Sequence, residues 1–210
     1  MPADSPYLFG YCKATEGDDF TSQQFGLQML ALHNYKKLKG PFHFSRQASD
    51  PIEAIKRYHA VVSALDVPVE LPPVDDFEDT RATPGKALTE HMWIEVQEIE
   101  QKFQQECMIY SAGWYWDRWV KPYIQPHQKF YDRMLWEADP PPPTPIGEWG
   151  EPDVRQVRLD IKVPGFNAAI DENEATDEWF NKYVQTPPSQ KTEIEVRYKE
   201  DEATVILKGV

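Results

Sequence analysis

The stretch Val69-Glu70-Leu71-Pro72-Pro73-Val74-Asp75-Asp76-Phe77-Glu78-Asp79 predicts a short apolar strand that ends in a cluster of carboxylates. Alternate side chains of a strand share a face, so Asp76 and Glu78 point one way and Asp75 and Phe77 the other. Two carboxylates spaced in this way lie about 6.5 to 7 Å apart. At the carboxyl edge of a parallel sheet or barrel, such a pair is suited to acid–base chemistry. The alternative is a solvated acidic turn.

Strand-like runs flank this stretch along the chain. Each is short, rich in apolar, β-branched or aromatic residues, and bounded by polar or turn-forming residues. The predicted strands are residues 7–12, 41–44, 108–111, 134–138, 154–161 and 166–170. The run Pro140 to Pro143 predicts a stiff surface loop, because consecutive prolines cannot join the interior of a sheet.

Helical periodicity fills most of the gaps between these strands. The first predicted helix, ended by Gly40, has the apolar stripe Leu27, Leu30, Ala31, Tyr35 and Leu38. A second helix is predicted with Asp50 as its cap and Pro51 at its first position. Its stripe is Ile52, Ile55, Tyr58, Val62 and Leu65. A third runs from Leu88 past Phe103 to Cys107. The alternation predicts a parallel α/β architecture, either a barrel or an open sheet.

The character of the sequence changes after residue 185. Pro187-Pro188-Ser189 indicates a linker, and residues 193–198 and 203–207 alternate polar with apolar or β-branched residues around a charged turn. We therefore predict one domain over residues 1–185 and a linker with a β-hairpin over residues 186–210. A hairpin edge is suited to pairing with another chain, so a protein partner is expected there.

Composition excludes several classes of function. The formal net charge of −13, without a basic stripe, argues against nucleic acid as a partner. No apolar run is long enough to cross a bilayer, and Met1 to Pro6 does not resemble a signal peptide. Two cysteines make neither a disulfide framework nor a metal site, and no cofactor-binding motif is present, so we expect no metal and no cofactor. Seven Trp and ten Tyr suit stacking on sugar rings.

Six segments, in chain order, resemble glycoside hydrolase family 25, the Chalaropsis-type lysozymes or N-acetylmuramidases. They are Lys13–Gly17 (KATEG), Phe42–Phe44 (YHF, with Phe for Tyr), Asp76–Glu78 (DxE), Ile109–Ser111 (IYT), Leu135–Ala138 (LWxA), and Val163–Gly165 followed by Asp171–Asn173 (VPG…DxN). Each motif alone is weak. Together, in this order and at the ends of predicted strands, they are specific, and the resemblance covers roughly residues 8–183.

The resemblance implies a modified TIM-like (β/α) barrel that cleaves the β-1,4 bond between N-acetylmuramic acid and N-acetylglucosamine in peptidoglycan. The family also has a first strand with a DVSxxQG motif, about twenty-five residues before KATEG. Only twelve residues precede Lys13 here, and none match that motif. We therefore expect a barrel that is incomplete at its first strand and lacks one of the family's active-site aspartates.

The resemblance also implies roles for particular side chains. Glycoside hydrolysis needs a proton donor and a second carboxylate. Glu78 is the candidate general acid, Asp76 orients the 2-acetamido group or acts as base, and Asp171 is a third catalytic candidate. The candidate substrate contacts are His43, Tyr110, Trp136, Asn173 and Glu16.

Simpler alternatives stand beside these roles. His43 lies between two phenylalanines, where a satisfied core histidine is the common case. Tyr110 and Trp136 could be barrel core, and Asp171 and Glu16 could be solvated turn or loop residues. Trp114 and Trp116 are expected to pack rather than to bind sugar.

The sequence thus favours a peptidoglycan hydrolase, of the kind found as phage lysins or virion-associated wall hydrolases, that reaches the bacterial wall without a recognisable leader. The alternative is a catalytically impaired glycan-binding or structural module of a larger phage or cell-wall assembly. An unrelated α/β enzyme is a third interpretation, and it requires that Asp76, Glu78 and Asp171 do not converge.

Overall fold

Eight strands form one curled sheet in the computed structural model, which describes residues 7–138, 146–162, 170–184, 194–199 and 202–207. In chain order they are β1 Phe9–Glu16, β2 Phe20–Thr21, β3 Leu38–Phe44, β4 Val74–Phe77, β5 Met108–Ala112, β6 Met134–Ala138, β7 Val154–Ile161 and β8 Ile170–Ala175. Two further strands, β9 Ile194–Lys199 and β10 Glu202–Leu207, pair antiparallel as a separate two-stranded sheet.

The helices lie between the strands in sequence. They are α1 Phe25–Asn34, α2 Pro51–Ser63, α3 Lys86–Phe103, α4 Gly113–Tyr115 and α5 Asp177–Val184. A π-helical turn, Trp116–Val120, and a 3-10 turn, Lys121–Tyr123, continue α4, and a second 3-10 turn, Phe130–Asp132, precedes β6. The predicted alternation of strands and helices is confirmed over most of the chain.

The sheet is mixed rather than wholly parallel. Strands β1, β3, β4, β5, β6 and β7 pair parallel in that order, whereas β2 and β8 pair antiparallel with β1 and β7. A parallel neighbour needs a crossover of about a dozen residues or more, and the segments 17–19 and 162–169 are shorter than that. The expectation of an all-parallel sheet is therefore wrong at its two outer strands.

The sheet curls into a half-barrel with β2 and β8 as its outer strands. Within the described part of the chain, the outer edge of β1 pairs with β2 alone, at Thr15 and Glu16. At the beginning of β1, an aromatic residue contacts α5, the helix that follows β8 in the chain. Phe9 packs against Trp179 and Phe180 of α5, with ring centroids 5.5 and 6.4 Å away.

The two faces of the sheet have different neighbours. One face is covered by α1, α2 and α3, and Phe77 and Ile109 pack there with helix residues such as Tyr58 and Met92. The concave face holds a second apolar cluster, which includes Leu71, Val74, Met108, Met134, Trp136, Val154 and Trp179. Since side chains alternate along β4, Asp76 and Glu78 share the concave side with Val74, and Asp75 shares the helix-covered side with Phe77.

The first helix is shorter than its sequence pattern predicts. α1 ends at Asn34, its buried residues are Phe25, Met29 and Leu32, and Leu27 is 60% exposed. Gly40 does not end the helix but lies in β3 against the ring of Tyr11. A Cβ there would sit 2.3 Å from Cε1 of that ring. The glycine thus allows a close approach between strands, and the predicted stripe was wrong.

The second and third helices lie where they were predicted, but α3 ends at Phe103 and does not reach Cys107. Asp50 caps α2 by accepting from the backbone N–H groups of Ile52 and Glu53 at 2.9 and 3.1 Å. Ile52 is an exception to the predicted stripe, because it is 49% exposed. In α3 the predicted residues Leu88, Met92, Val96 and Ile99 are all buried.

Some predictions fall outside the described residues. These are the linker, the Pro140 to Pro143 run, the Val163–Gly165 segment and most of the strand predicted over residues 166–170. The described part of that last region begins at Ile170, which opens β8 rather than ending a strand.

Candidate active site

Glu78 stands directly beyond the last residue of β4 and is half-buried. Burial raises its pKa above the ordinary value of 4.5, and the charge of Asp171 raises it further, while the ammonium of Lys13 acts in the opposite direction. A carboxyl group in this setting holds its proton to a higher pH than a solvated one. That is the property a proton donor needs near neutrality.

Asp76 lies two residues earlier on the same face and is only 6% exposed. Burial raises its pKa well above 3.8, the charges of Glu78 and Glu16 raise it further, and Lys13 lowers it. The interactions join Asp76 to Glu78 and Glu78 to Asp171. Contacts also join them, because Tyr110 pairs with Asp76 in the sheet register and bonds to Gln156, which bonds to Asp171. The three acids therefore lie in one neighbourhood, which disfavours the interpretation of an unrelated α/β enzyme.

Asp171 is exposed on β8, and both of its carboxylate oxygens are held. Oδ2 accepts from Nε2 of Gln156 at 3.2 Å, and Oδ1 accepts from the backbone N–H of Asp160 at 3.0 Å. These two bonds hold the carboxylate in one orientation. Gln156, in β7, is a site residue that the sequence reasoning missed. The sequence feature that could have identified it is its position in the predicted strand between the LWxA and DxN motifs.

Tyr110 and Trp136 form an aromatic wall beside the acids. Their rings meet edge to face, with centroids 5.0 Å apart. The indole N–H of Trp136 donates to Oδ1 of Asn173 at 2.8 Å, and the hydroxyl of Tyr110 donates to Oε1 of Gln156 at 3.4 Å. Burial, and then the charges of Glu78, Asp76 and Asp171, raise the pKa of Tyr110, which places its hydroxyl in the field of all three carboxylates.

Trp136 is largely covered. It is 7% exposed, and Tyr11 packs on it with a centroid distance of 5.0 Å. Trp136 therefore agrees in part with the alternative interpretation, in which it belongs to the barrel core. Tyr110 is the more open of the two rings.

Glu16 lies at the rim and is held by basic side chains. Lys13 and Arg46 both donate to its carboxylate, and Arg81 lies 3.7 Å away. Burial raises the pKa of Glu16, but the bonds from Lys13 and Arg46 outweigh this and lower it overall. Through these bonds, Glu16 holds the side chains of Lys13 and Arg46 in place at the rim.

His43 is placed on the other side of the sheet from the acids. It is fully buried, its Nδ1 is hydrogen-bonded to the hydroxyl of Thr15 at 2.8 Å, and its ring stacks on Tyr58 of α2. Its partner in the β3–β4 register is Asp75, which also faces the helices. A ring without exposed surface does not contact a sugar in this conformation, so His43 is a core histidine, hydrogen-bonded through Nδ1 and with Nε2 3.7 Å from Oε1 of Glu95.

The loop tryptophans differ in exposure. Trp116 is fully buried and packs edge to face on Phe130 and Trp149, as expected for a packing residue. Trp114 follows the carboxyl end of β5 and is 50% exposed. Its ring meets Tyr115, whose pKa is raised by burial and then by the charges of Asp79, Asp76 and Glu78.

The site carries carboxylates, amides and aromatic rings. Within residues that the structure describes, no group of three or more His, Cys, Asp or Glu side chains is arranged to hold a metal ion. In the same residues no helix is both long and apolar enough to span a membrane. The arrangement can protonate a leaving oxygen, hold a polar acetamido group and stack a sugar ring.

Comparison with known families and structures gives a consistent result. The family model described as "Glycosyl hydrolases family 25" matches residues 4–139, more than half of the chain. No curated protein sequence matches the chain.

Three solved structures resemble it at low identity. The Clostridium perfringens spore cortex lytic enzyme SleM has a TM-score of 0.73 at 16% identity, over 96% of this chain and 69% of that one. A family 25 glycosyl hydrolase from Bacillus anthracis has a TM-score of 0.66 at 19% identity, over 84% and 82%. The CTP1L endolysin has a TM-score of 0.68 at 19% identity over 83% of this chain, which spans 60% of the endolysin's length.

Proposed function

The chain belongs to glycosyl hydrolases family 25, and we propose from this premise that it is a muramidase, a peptidoglycan hydrolase that cleaves the β-1,4 bond between N-acetylmuramic acid and N-acetylglucosamine. The observation that carries the proposal is the convergence of Asp76, Glu78 and Asp171 on the concave side of the sheet, with the pKa of Glu78 raised. The substrate is the glycan strand of the bacterial cell wall.

Glu78 is the general acid in this proposal. Its raised pKa keeps the carboxyl protonated nearer to neutral pH, so that it can donate to the leaving glycosidic oxygen. Burial and the charge of Asp171 supply that shift, and Lys13 limits it. Neither Gln156 nor Asn173 could replace it, since an amide has no proton to give at this pH.

Asp76 and Asp171 act on the other side of the reaction. Asp76 is the more buried and orients the 2-acetamido group or acts as base. The bonds from Gln156 and Asp160 to Asp171 support a role for Asp171 as a fixed carboxylate. Asn173 is held by the indole of Trp136 and by the carbonyl of Asp171, and in this proposal its amide contributes to the pocket for the acetamido group. Tyr110 supplies an open aromatic face for the sugar ring.

Loss of turbidity of purified peptidoglycan tests the proposal. We expect the wild-type protein to clear the suspension and Glu78→Gln to be at least about a hundredfold slower, because general acid catalysis contributes on that order. Glu100→Gln is the matched control. Glu100 lies near the end of α3 and pairs with Arg133, so this variant should keep the wild-type rate. Equal inertness of wild type and Glu78→Gln, with retained binding to the glycan, would remove the enzyme proposal.

A second candidate function is a glycan-binding or structural module. The observation that favours it is the outer edge of β1, which in the described residues carries only the two-residue strand β2. We also propose that residues 1–185 form the barrel domain and that residues 186–210 form a linker and hairpin that engages a protein partner. Deletion of residues 186–210 should leave turbidity loss unchanged, and reduced association with an assembly, measured by sedimentation, would support the partner.

A further inference from the structure

Helix α3 carries a carboxylate on the face that it packs against the sheet. Glu95 is fully buried, and its helix neighbours Met92, Val96 and Ile99 are buried apolar residues. A carboxylate in such a layer is unfavourable relative to an apolar side chain unless it is well paired. Packing alone therefore gives no reason for an acid at this position.

Three polar side chains meet this carboxylate. The hydroxyl of Ser45 donates to Oε2, and Nε2 of His91 and of His43 lie 3.2 and 3.7 Å from Oε1. Burial raises the pKa of Glu95, but the two imidazoles outweigh it and lower the pKa overall. Asp75, also buried on this face of the sheet, is the other acid nearby, and the charge of Glu95 raises its pKa. The surroundings thus lower the pKa of Glu95 and raise that of Asp75.

Ser45 connects this cluster to the catalytic strand. It directly follows the last residue of β3, and its backbone N–H donates to the carbonyl of Asp76 at 3.0 Å. From the other side, the hydroxyl of Ser111 in β5 donates to the carbonyl of Phe77 at 2.8 Å. The two carbonyls that precede Glu78 are therefore each held by a serine, and one of those serines is anchored on Glu95.

We propose that Glu95 is a positioning residue for the active site: by anchoring Ser45, it fixes the end of β3 against β4 and sets the direction in which Glu78 leaves the strand. Glu95 has no exposed surface and touches no substrate. The kinetic part of this inference rests on the proposed function, because the group being positioned is the proposed general acid.

The first experiment measures kcat and KM on soluble peptidoglycan fragments. Glu95→Leu and Ser45→Ala should each lower kcat by about 10- to 100-fold with little change in KM, because misplacing a catalytic group by about 1 Å has effects of this size. The double variant should be no slower than the slower single variant, since both changes break one connection. Glu95→Gln, which keeps an acceptor for Ser45, should retain more activity than Glu95→Leu.

The matched control is Glu100→Leu, on the same helix. It removes the Arg133–Glu100 ion pair, in which Nη2 and Oε2 are 2.8 Å apart. The hydrogen-bond partners of Glu100 in the described residues are Arg133 and the backbone N–H of Cys107, neither of which belongs to β3 or β4. It should lose stability without losing kcat. If Glu100→Leu lowers kcat as much as Glu95→Leu, the effect is general destabilisation and the positioning role is overturned.

The second experiment does not depend on turnover. A ¹³C NMR titration of Glu78 should show its pKa moving towards 4.5 in Glu95→Leu and Ser45→Ala, because the side chain gains solvent, and staying in place in Glu100→Leu. An unchanged pKa of Glu78 in both site variants overturns the proposal, and Ser45→Ala decides the matter if Glu95→Leu does not fold. A wild-type protein without lytic activity overturns the proposed function alone, since the titration still reports on the positioning.

Discussion

The indole N–H of Trp136 donates to Oδ1 of Asn173 at 2.8 Å, and this bond ties β6 to β8 across the intervening strand β7. Asn173 in turn donates from Nδ2 to the backbone carbonyl of Asp171. One amide thus connects the aromatic wall to the strand that carries the third acid. The antiparallel strand β8, which the sequence pattern did not predict, is held to the site by this contact.

Loss of that amide should destabilise the protein. In Asn173→Ala the buried indole N–H of Trp136 loses its partner, and an unsatisfied buried donor costs about 1–3 kcal/mol. Chemical denaturation should show this decrease in the free energy of unfolding. Glu174→Ala, an exposed change on the same strand, is the control and should lie within about 0.5 kcal/mol of wild type. Similar losses in both variants would contradict the role of the indole contact.

Two charge changes should move the pH dependence of activity in opposite directions. Asp171 raises the pKa of Glu78 and Lys13 lowers it. Because a general acid must be protonated, Asp171→Asn should shift the alkaline limb of the kcat/KM profile to lower pH, and Lys13→Gln should shift it to higher pH. Glu174→Gln, the same change of charge elsewhere on β8, should leave the limb in place. Shifts of the same sign in both site variants would exclude Glu78 as the group that the limb reports.

Removal of the proposed general acid should stabilise the fold at neutral pH. The pKa of Glu78 is raised in the folded state, so its ionisation favours unfolding, and wild type loses stability as pH rises from about 4.5 through the folded pKa. Glu78→Gln avoids this loss. Its free energy of unfolding should exceed that of wild type at pH 7 and match it below about pH 4, near the ordinary carboxyl pKa. A gain that is equal at both pH values would show that ionisation is not its cause.

Asp75 should be a second site where an acid weakens the fold. It is fully buried, and within the described residues no side chain donates a hydrogen bond to either carboxyl oxygen. Burial, then the charges of Glu95 and Asp76, raise its pKa well above 3.8. Asp75→Val should therefore raise the free energy of unfolding at pH 7 by roughly 1–3 kcal/mol, the cost of an unsatisfied buried polar group. Denaturant titration at pH 7 measures this gain.

Asp79 provides the comparison for Asp75. It is also buried, but Oδ1 accepts from Nε of Arg81 at 2.6 Å and from the backbone N–H of Arg81 at 3.0 Å. Asp79→Ala should lower stability, opposite in sign to Asp75→Val. A loss of stability in both variants would show that Asp75 has a stabilising partner.

The sequence was most informative where a short motif lies at the end of a strand or the start of a helix. Asp76 and Glu78 could be assigned to one face because strand alternation has a fixed period, and Asp50 could be assigned as a cap because its neighbour is Pro51. The antiparallel direction of β8 follows from a short connection that the strand pattern did not locate. The helix-covered setting of His43 depends on which face of β3 meets the helices, and the motif does not contain that information.

Other site residues could not be found from spacing. Gln156 and Glu95 belong to none of the recognised motifs. Each has its role because it contacts a residue that is distant in the sequence. Gln156 meets Asp171 only because β7 and β8 pair, and Glu95 meets Ser45 only because α3 packs over the end of β3. Contacts of this kind are set by the tertiary fold.

Gly40 has a consequence for redesign of the proposed glycan groove. The missing side chain lets Tyr11 lie against β3, and Tyr11 in turn backs Trp136 at 5.0 Å. A Cβ at position 40 would lie 2.3 Å from Cε1 of Tyr11, so even alanine would displace the tyrosine ring. It would also lie 2.9 Å from Cβ of Leu71, which leaves the strand no room to shift away from the tyrosine. The position of the Trp136 ring thus depends on the space that Gly40 leaves for Tyr11 behind it. Engineered variants that seek a wider groove should vary Tyr11 and keep Gly40.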